Sequence, residues 1–421
     1  MIQRSQITKV LSLVNSSRGR LVVLAGARQV GKTTLVRSLK GWDYVDMDDP
    51  ASREAWIRLG VEGWLRRYRR VIVDEIQKAP ELFEVFKACH DRDPEFRALL
   101  LGSSQLLLLK GVRESLAGRA SLLELHPFML EEVCAHRRKA PLTGRFASLL
   151  GHDSPATLLE SWEDPVWPHG AEAAVALPAW ESLLVEGMMP APTAAADWSA
   201  QDRREWCEDY VRTYLQKDLA EIARLEQMDP FVRLLRLACL RTAQTANWSD
   251  LAREAGISGP TARTWMGHLE TGYHALSLPP WFRNPEKRLA RAPKLHVLDA
   301  GIRRAVLRRT GPADGAEFET AVVSEAWKHL RTHRLPLDAF HLRTQDGREV
   351  DLLLERADGY LAIECKSGIR AAATDARHLL GLEAFLDKPL LAGLVVSNDP
   401  EPRRLRHDAP VWAMPAAFLF A

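Results

Sequence analysis

The chain has 421 residues, which at ~150 residues per domain makes about three domains with cores that need no disulfide or metal staple. Hydrophobic residues at 46% and charged residues at 27%, with 25 Gly and 24 Pro, exclude a collagenous, low-complexity or disordered chain. Lys and Arg number 57 against 55 Asp and Glu, leaving a net charge of +2, so no global field recruits nucleic acid and any such contact needs a local patch.

Cys89, Cys134, Cys207, Cys239 and Cys365 are scattered without CxxC spacing, which implies neither a disulfide framework nor a zinc cluster and fits a reducing cytoplasm. The first residues, Met1-Ile-Gln-Arg-Ser-Gln, lack an apolar signal core. The greasiest run, 99–109, is interrupted by Gly102-Ser103-Ser104-Gln105 and is too short to span a bilayer. No membrane partner is expected.

In chain order, continuous apolar runs predict strands over 21–25, 44–47, 71–73 and 98–101, alternating with helices over 32–39 and 81–90. Such alternation means a parallel sheet covered by helices. From about 142 to 200 the texture turns to Pro, Gly, Ala, Trp and acidic residues without sustained periodicity, which predicts an irregular insert. Residues 201–278 are helical in pattern. The last part mixes a helix over 317–330 with a hairpin of 349–355 and 360–365, joined through a two-residue Asp358-Gly359 turn. The expected organisation is therefore a P-loop domain over 1–140, an irregular Trp/Pro-rich insert or linker over 141–200, a helical domain over 201–285 and a C-terminal α/β domain over 286–421.

The strand over 21–25 runs into Gly26-Ala27-Arg28-Gln29-Val30-Gly31-Lys32-Thr33-Thr34, which fits GxxxxGK[ST] between a strand and a helix. Glycines let backbone N–H groups close around phosphate oxygens, Lys32 reaches the β- and γ-phosphates, and the Thr33 hydroxyl is placed to ligate Mg²⁺. ATP and Mg²⁺ are the expected cofactors. The strand over 71–73 ends in Asp74-Glu75, where Asp74 would hold Mg²⁺ and Glu75 would polarise the attacking water. Ser103, at the next strand tip, is placed to feel the γ-phosphate.

Glu364 and Lys366 lie two apart on a strand and share a face. With a two-residue turn, Asp351 falls opposite Lys366 and beside Glu364. Glu319 shares a helical stripe with Val323, Ala326 and Leu330. Asp351 and Glu364, with Glu319, are candidate Mg²⁺ ligands and Lys366 a candidate for stabilising charge on a scissile phosphate. A cross-strand ion pair between Asp351 and Lys366 explains the same spacing equally well. Ser249–Trp265 has a helix, a Gly turn, a Ser cap and a second helix, a helix-turn-helix layout. Thr261, Arg263 and Thr264 would face a groove of DNA, although one arginine on that helix is little charge for phosphates.

Taken together, these motifs, with 102–109, Ser115-Leu-Ala-Gly-Arg119, 210–218, 279–284, 295–301, Arg348-Glu-Val-Asp351 and 363–368, resemble a family of prokaryotic AAA-type ATPases in which a P-loop domain precedes a C-terminal domain of unknown function. The resemblance implies an AAA+-like ATPase domain, a winged-helix-like middle and a C-terminal part similar to the PD-(D/E)XK nuclease fold. It implies a sensor role for Ser103 or Ser104, a finger role for Arg119 on a neighbouring subunit's nucleotide, and nuclease-motif positions for Glu319, Asp351, Glu364 and Lys366. The stretch 142–198 is longer than the family pattern. Two readings follow: an oligomeric ATPase coupled to a nuclease-like domain that acts on or binds DNA, and a nucleotide-gated oligomeric switch whose nuclease-like domain serves contact with an unknown protein partner.

Overall fold

The computed structural model describes residues 2–16, 20–102, 114–215, 228–344 and 346–421. Ser103 and Ser104, most of 102–109 and residues 216–218 of the motifs above lie outside the described residues.

Strands β1 (Leu21–Gly26), β2 (Asp43–Asp46), β3 (Arg70–Asp74), β4 (Arg97–Leu101) and β5 (Ala120–Leu125) form one sheet in the order β2-β3-β4-β1-β5. Every neighbouring pair is parallel. β1 is buried on both faces, because helices cover both sides of such a sheet, and its apolar run without alternation is the signature of that position. The expected parallel sheet covered by helices is what forms.

The stretch expected to be irregular is helical: Arg145–Gly151, Pro155–Glu160, Ala173–Glu186 and Pro190–Ala194. Pro155 and Pro190 sit in the first turn of their helices, where the missing N–H has no intrahelical partner to lose. Pro178 lies inside a helix. The buried stripe of Ala173–Glu186 is built from Ala173, Ala176, Ala179, Trp180, Leu183 and Leu184, and its first half, three alanines, gives helical spacing with little apolar bulk. These helices belong to the C-terminal core: Trp162 and Trp167 meet Phe418 edge-on and Trp180 meets Phe318 and Phe420.

In the middle unit, β6 (Gln244–Thr245), β7 (Ala275–Leu278) and β8 (Lys294–Val297) form a three-stranded antiparallel sheet beside helices Trp248–Ala255 and Gly259–Thr271. Gly256 ends the first helix at φ +76°, a left-handed C-cap that favours glycine, and Ser258 caps the next one. Since β8 and the helix Ala300–Leu307 pack into this unit's core, the boundary expected at 286 falls inside it.

The C-terminal sheet runs β13-β14-β12-β11-β10-β9, with β9 (Asp338–Arg343), β10 (Glu349–Glu355), β11 (Tyr360–Cys365), β12 (Leu390–Ser397), β13 (Arg403–Arg406) and β14 (Val411–Pro415). Ahead of it stands the helix Gly315–His333, started by a capping box of Asp314 and Glu317. That helix touches β5, β8, β11 and the helices Gln6–Val14 and Arg145–Gly151, so it is the post on which all three units meet. All five cysteines are free, and among the described residues no helix is long and apolar enough to cross a membrane.

Candidate functional site

The phosphate loop leaves β1 at Gly26, whose Cβ, were it present, would meet the Leu125 carbonyl oxygen at 2.3 Å. Only a glycine lets β1 and β5 stay this close. Gly31, at φ +93°, turns the chain into the helix Lys32–Val36. Gln29 stands at φ 59°, a non-glycine left-handed residue of the kind stored at ligand sites. Ala27 and Val30 are buried in the core, so within the motif they contribute backbone only, while Thr34 is exposed.

Lys32 is 6% exposed, and its ammonium donates to the carbonyls of Gly26 (2.8 Å) and Ala27 (2.9 Å). Burial lowers it to about 8, against the opposing pull of Glu75 and Asp74. The Thr33 hydroxyl donates to Asp74 Oδ2 at 2.6 Å. Hydroxyl and carboxylate thus converge from the first turn of the helix Lys32–Val36 and the end of β3, the donor set for a hard divalent cation beside phosphate. The loop, its lysine and this pair fit ATP with Mg²⁺. Glu75 lies at φ 53° next to Asp74, and Gln77 donates to its carboxylate; the left-handed turn swings it out of the line of β3.

Two residues went unnoticed in the sequence. The Tyr44 hydroxyl of β2 donates to Asp74 Oδ2 at 2.7 Å, and the Tyr210 hydroxyl of the middle unit donates to the Arg28 carbonyl inside the loop at 3.2 Å. Tyr210 opens the 210–218 stretch of the resemblance, which gave it no role, and Tyr44 has no sequence signal beyond being an aromatic.

Arg119 precedes β5. Leu21 pairs with Ala120 and Gly26 with Leu125, so Arg119 stands at the opposite end of the sheet from its own phosphate loop, ~17 Å away at ~3.3 Å per residue. Its guanidinium makes a bidentate pair with Asp91, at 2.8 and 2.9 Å.

In the C-terminal unit Leu352 pairs with Ile363 and Glu355 with Tyr360. Four residues, 356–359, make the turn where two were expected. The register therefore shifts by two, which keeps the faces but changes the partners. Lys366 pairs with Glu364 at 2.8 Å, not with Asp351. Asp351 accepts from the Cys365 N–H at 2.8 Å and from Lys294 at 2.9 Å. Lys294, 3% exposed, also meets Glu319 at 2.7 Å and Glu349 at 3.1 Å. It is the residue sequence reasoning missed: its ammonium fills the place among carboxylates where a cation was expected. Burial, then Asp351, pushes Glu319 up to about 8, and burial, again with Asp351, pushes Glu364 up to about 7. Glu319, Asp351 and Glu364 do not form a set with ligand atoms within 4.8 Å of one another.

In the middle unit Arg263 and Thr264 are exposed, but the Thr264 hydroxyl bonds its own helix at Pro260 and Arg263 lies 5.8 Å from the Trp248 ring centroid.

Residues 18–134 match the model of the AAA domain family. Residues 177–313 and 314–419 match two domains of unknown function, DUF8612 and DUF4143. An uncharacterized protein of Mycobacterium tuberculosis and one of Mycobacterium bovis are each 28% identical over 363 residues, spanning 83% of this chain and 70% of theirs. Among solved structures, the Walker-type ATPase of Pyrococcus abyssi is 15% identical, covering 73% of this chain and 96% of that one at a TM-score of 0.42. The ORC2 protein of Aeropyrum pernix is 16% identical, covering 72% and 91% at 0.32. The AAA match falls on the parallel sheet, the phosphate loop and the Thr33–Asp74 pair, so the chain carries an AAA-type P-loop ATPase domain over these residues.

Proposed function

We propose that the chain is a nucleotide-gated switch, in which ATP turnover in the AAA unit is read by the middle and C-terminal units that hold a macromolecular partner. The observation that carries this reading is the hydrogen bond from Tyr210 to the Arg28 carbonyl inside the phosphate loop. Lys32 must leave the carbonyls of Gly26 and Ala27 to reach a phosphate, so the loop peptides are re-aimed on binding and the contact with Tyr210 changes with them. Tyr210 is stacked on Trp206 at 5.3 Å and ends the helix Ala200–Tyr210, which packs on Ala300–Leu307.

In the turnover step Lys32 would hold the β- and γ-phosphates. Thr33 and Asp74 would hold Mg²⁺, whose chemistry is to neutralise charge on the transferring phosphoryl group. Glu75 would orient water. Arg119 would act on the nucleotide of a second copy, which makes the working form a homo-oligomer and requires release of the Asp91 pair.

A contact role for the C-terminal unit is supported by Lys294, which already neutralises Glu319 and Asp351. DNA would enter as a partner of this switch through the exposed Arg263 side of Gly259–Thr271. Lys32→Ala should abolish ATP hydrolysis. Hydrogen exchange in Ala200–Tyr210 should differ between ADP and a non-hydrolysable ATP analogue in the parent and not in Tyr210→Phe. Equal exchange in both nucleotides refutes the gating. Cleavage of supercoiled or single-stranded DNA with Mg²⁺ or Mn²⁺, lost in Asp351→Ala, would replace the contact role with a nuclease.

A further inference from the structure

Among the described residues, one set of three His, Cys, Asp or Glu side chains has its ligand atoms all within 4.8 Å of one another: Glu131, His329 and His333. None belongs to the nucleotide site or to the carboxylates around Lys294. His329 and His333 are four apart near the end of the helix Gly315–His333, on one face, with rings stacked at 5.7 Å. Glu131 comes from the helix Leu130–Arg138 and is 2% exposed, and its Oε1 lies 3.9 Å from His333 Nε2.

Imidazole is a polar ring that normally finds a partner when buried. His329 is 1% exposed, yet neither of its ring nitrogens has a hydrogen-bond partner, and His333 Nε2 has none either. Lys9 also faces His333, across from the helix Gln6–Val14, while the acidic groups nearby and Lys328 are committed elsewhere. Glu132 accepts from the backbone N–H of Ser5 and Met129, Glu325 accepts from Leu130 N and pairs with Lys328, and Lys328 donates to the Phe128 carbonyl. Glu131 itself is aimed by its surroundings: Oε1 accepts from the Ser5 hydroxyl at 3.0 Å and Oε2 from Gly144 N at 3.2 Å. Such outer bonds orient a ligating carboxylate.

We propose that Glu131, His329 and His333 bind a divalent transition-metal ion, Zn²⁺ before others, as a clamp between the AAA unit and the C-terminal unit. Two imidazoles and a carboxylate are a borderline donor set that suits Zn²⁺ and excludes Mg²⁺ or Ca²⁺ as the preferred ion. At bond lengths of ~2.0–2.2 Å, ligand atoms around a tetrahedral ion stand ~3.4 Å apart, so the 3.9 Å separation closes by a few tenths of an ångström. The fourth position falls to water, since the His333 side chain is 29% exposed while Phe146 and Phe420 close the His329 side. Glu131 lies at the end of the AAA match, on a helix that already packs into the C-terminal core, and both histidines lie within the C-terminal match, so the ion pins the segment leaving the AAA unit to the central post.

The test is metal content and binding in the full chain, freed of any affinity tag, stripped with a chelator and titrated with Zn²⁺ and then Co²⁺. One equivalent per chain, a tetrahedral Co²⁺ visible spectrum and a rise in thermal midpoint are expected. His333→Ala, at a half-exposed position, and Glu131→Gln should each weaken binding by about 100-fold or more, with the circular dichroism of the parent retained. Absence of stoichiometric binding at micromolar Zn²⁺ in the parent overturns the proposal, as does parental affinity in folded His333→Ala.

Discussion

Replacing Lys294 by Met keeps the length of a buried side chain and removes its charge, leaving Glu319, Asp351 and Glu349 facing one another. The ammonium is 3% exposed, with carboxylate oxygens at 2.7, 2.9 and 3.1 Å. At an effective dielectric of ~20 each close pair is worth about 6 kcal/mol of gross attraction. Glu349 is 36% exposed, and its contribution is screened. Against the two buried pairs stands the several kcal/mol needed to strip water from the ammonium, and breaking one partner of such a pair costs about 3–5 kcal/mol. That is a large share of the ~5–15 kcal/mol that holds a domain folded. Burial and Asp351 push Glu319 up to about 8, above its unfolded value near 4.5, so a proton shares the neutralisation below pH 8. The stability linked to that proton is full below pH ~4.5 and is lost as pH rises through 8. In Lys294→Met the same carboxyl loses its counter-ion and holds its proton to still higher pH, so the deficit is level below pH ~7 and widens as pH rises through 8. Hydrogen exchange of the β10 and β11 amides reads the local free energy without assuming that three units unfold together. Adding Asp351→Asn to Lys294→Met should recover most of the loss, as the coupling of contacting charges requires. A loss under ~1 kcal/mol that does not change with pH is the behaviour of a surface ion pair and would refute the reasoning.

The phosphate loop makes its own predictions. Lys32 must be protonated to hold phosphate and is lowered to about 8 by burial, so nucleotide affinity should be level below pH 7 and fall about 10-fold per unit above 8; a flat profile to pH 9.5 in a fluorescent-nucleotide titration contradicts this. Gly26→Ala puts a methyl 2.3 Å from the Leu125 carbonyl and should lower thermal stability and nucleotide binding together. Gly31→Ala meets no atom within 4 Å and should cost only the ~1–2 kcal/mol of a left-handed backbone. Equal thermal shifts for the two alanine variants would show that the β1–β5 approach is not what requires glycine at position 26.

What could be read from the sequence, and what could not, divides along one physical line. The Gly26–Thr33 loop and the Asp74-Glu75 strand end were readable because backbone geometry dictates residue type at neighbouring positions: a close approach, a left-handed turn, a helix start. Tyr44 reaches Asp74 from 30 residues away and Tyr210 reaches the Arg28 carbonyl from 182, and a hydroxyl at that separation leaves no local trace of its partner. Lys294 opens the short strand Lys-Leu-His-Val, whose sequence gives no local reason for its burial; it becomes a counter-ion only once β8 meets Gly315–His333 and the side chains of β10. The hairpin register failed for a related reason, since a two-residue and a four-residue turn place the same residues on the same faces and only the loop backbone decides between them. In the 141–200 stretch the helical spacing of Ala173, Ala176 and Ala179 was present, but alanine carries too little apolar surface to raise the pattern above its prolines. The surroundings of the C-terminal carboxylates thus depend on a distant lysine: Lys294 sits between Asp351 and Glu319, a partner that the acidic motif alone gives no way to foresee.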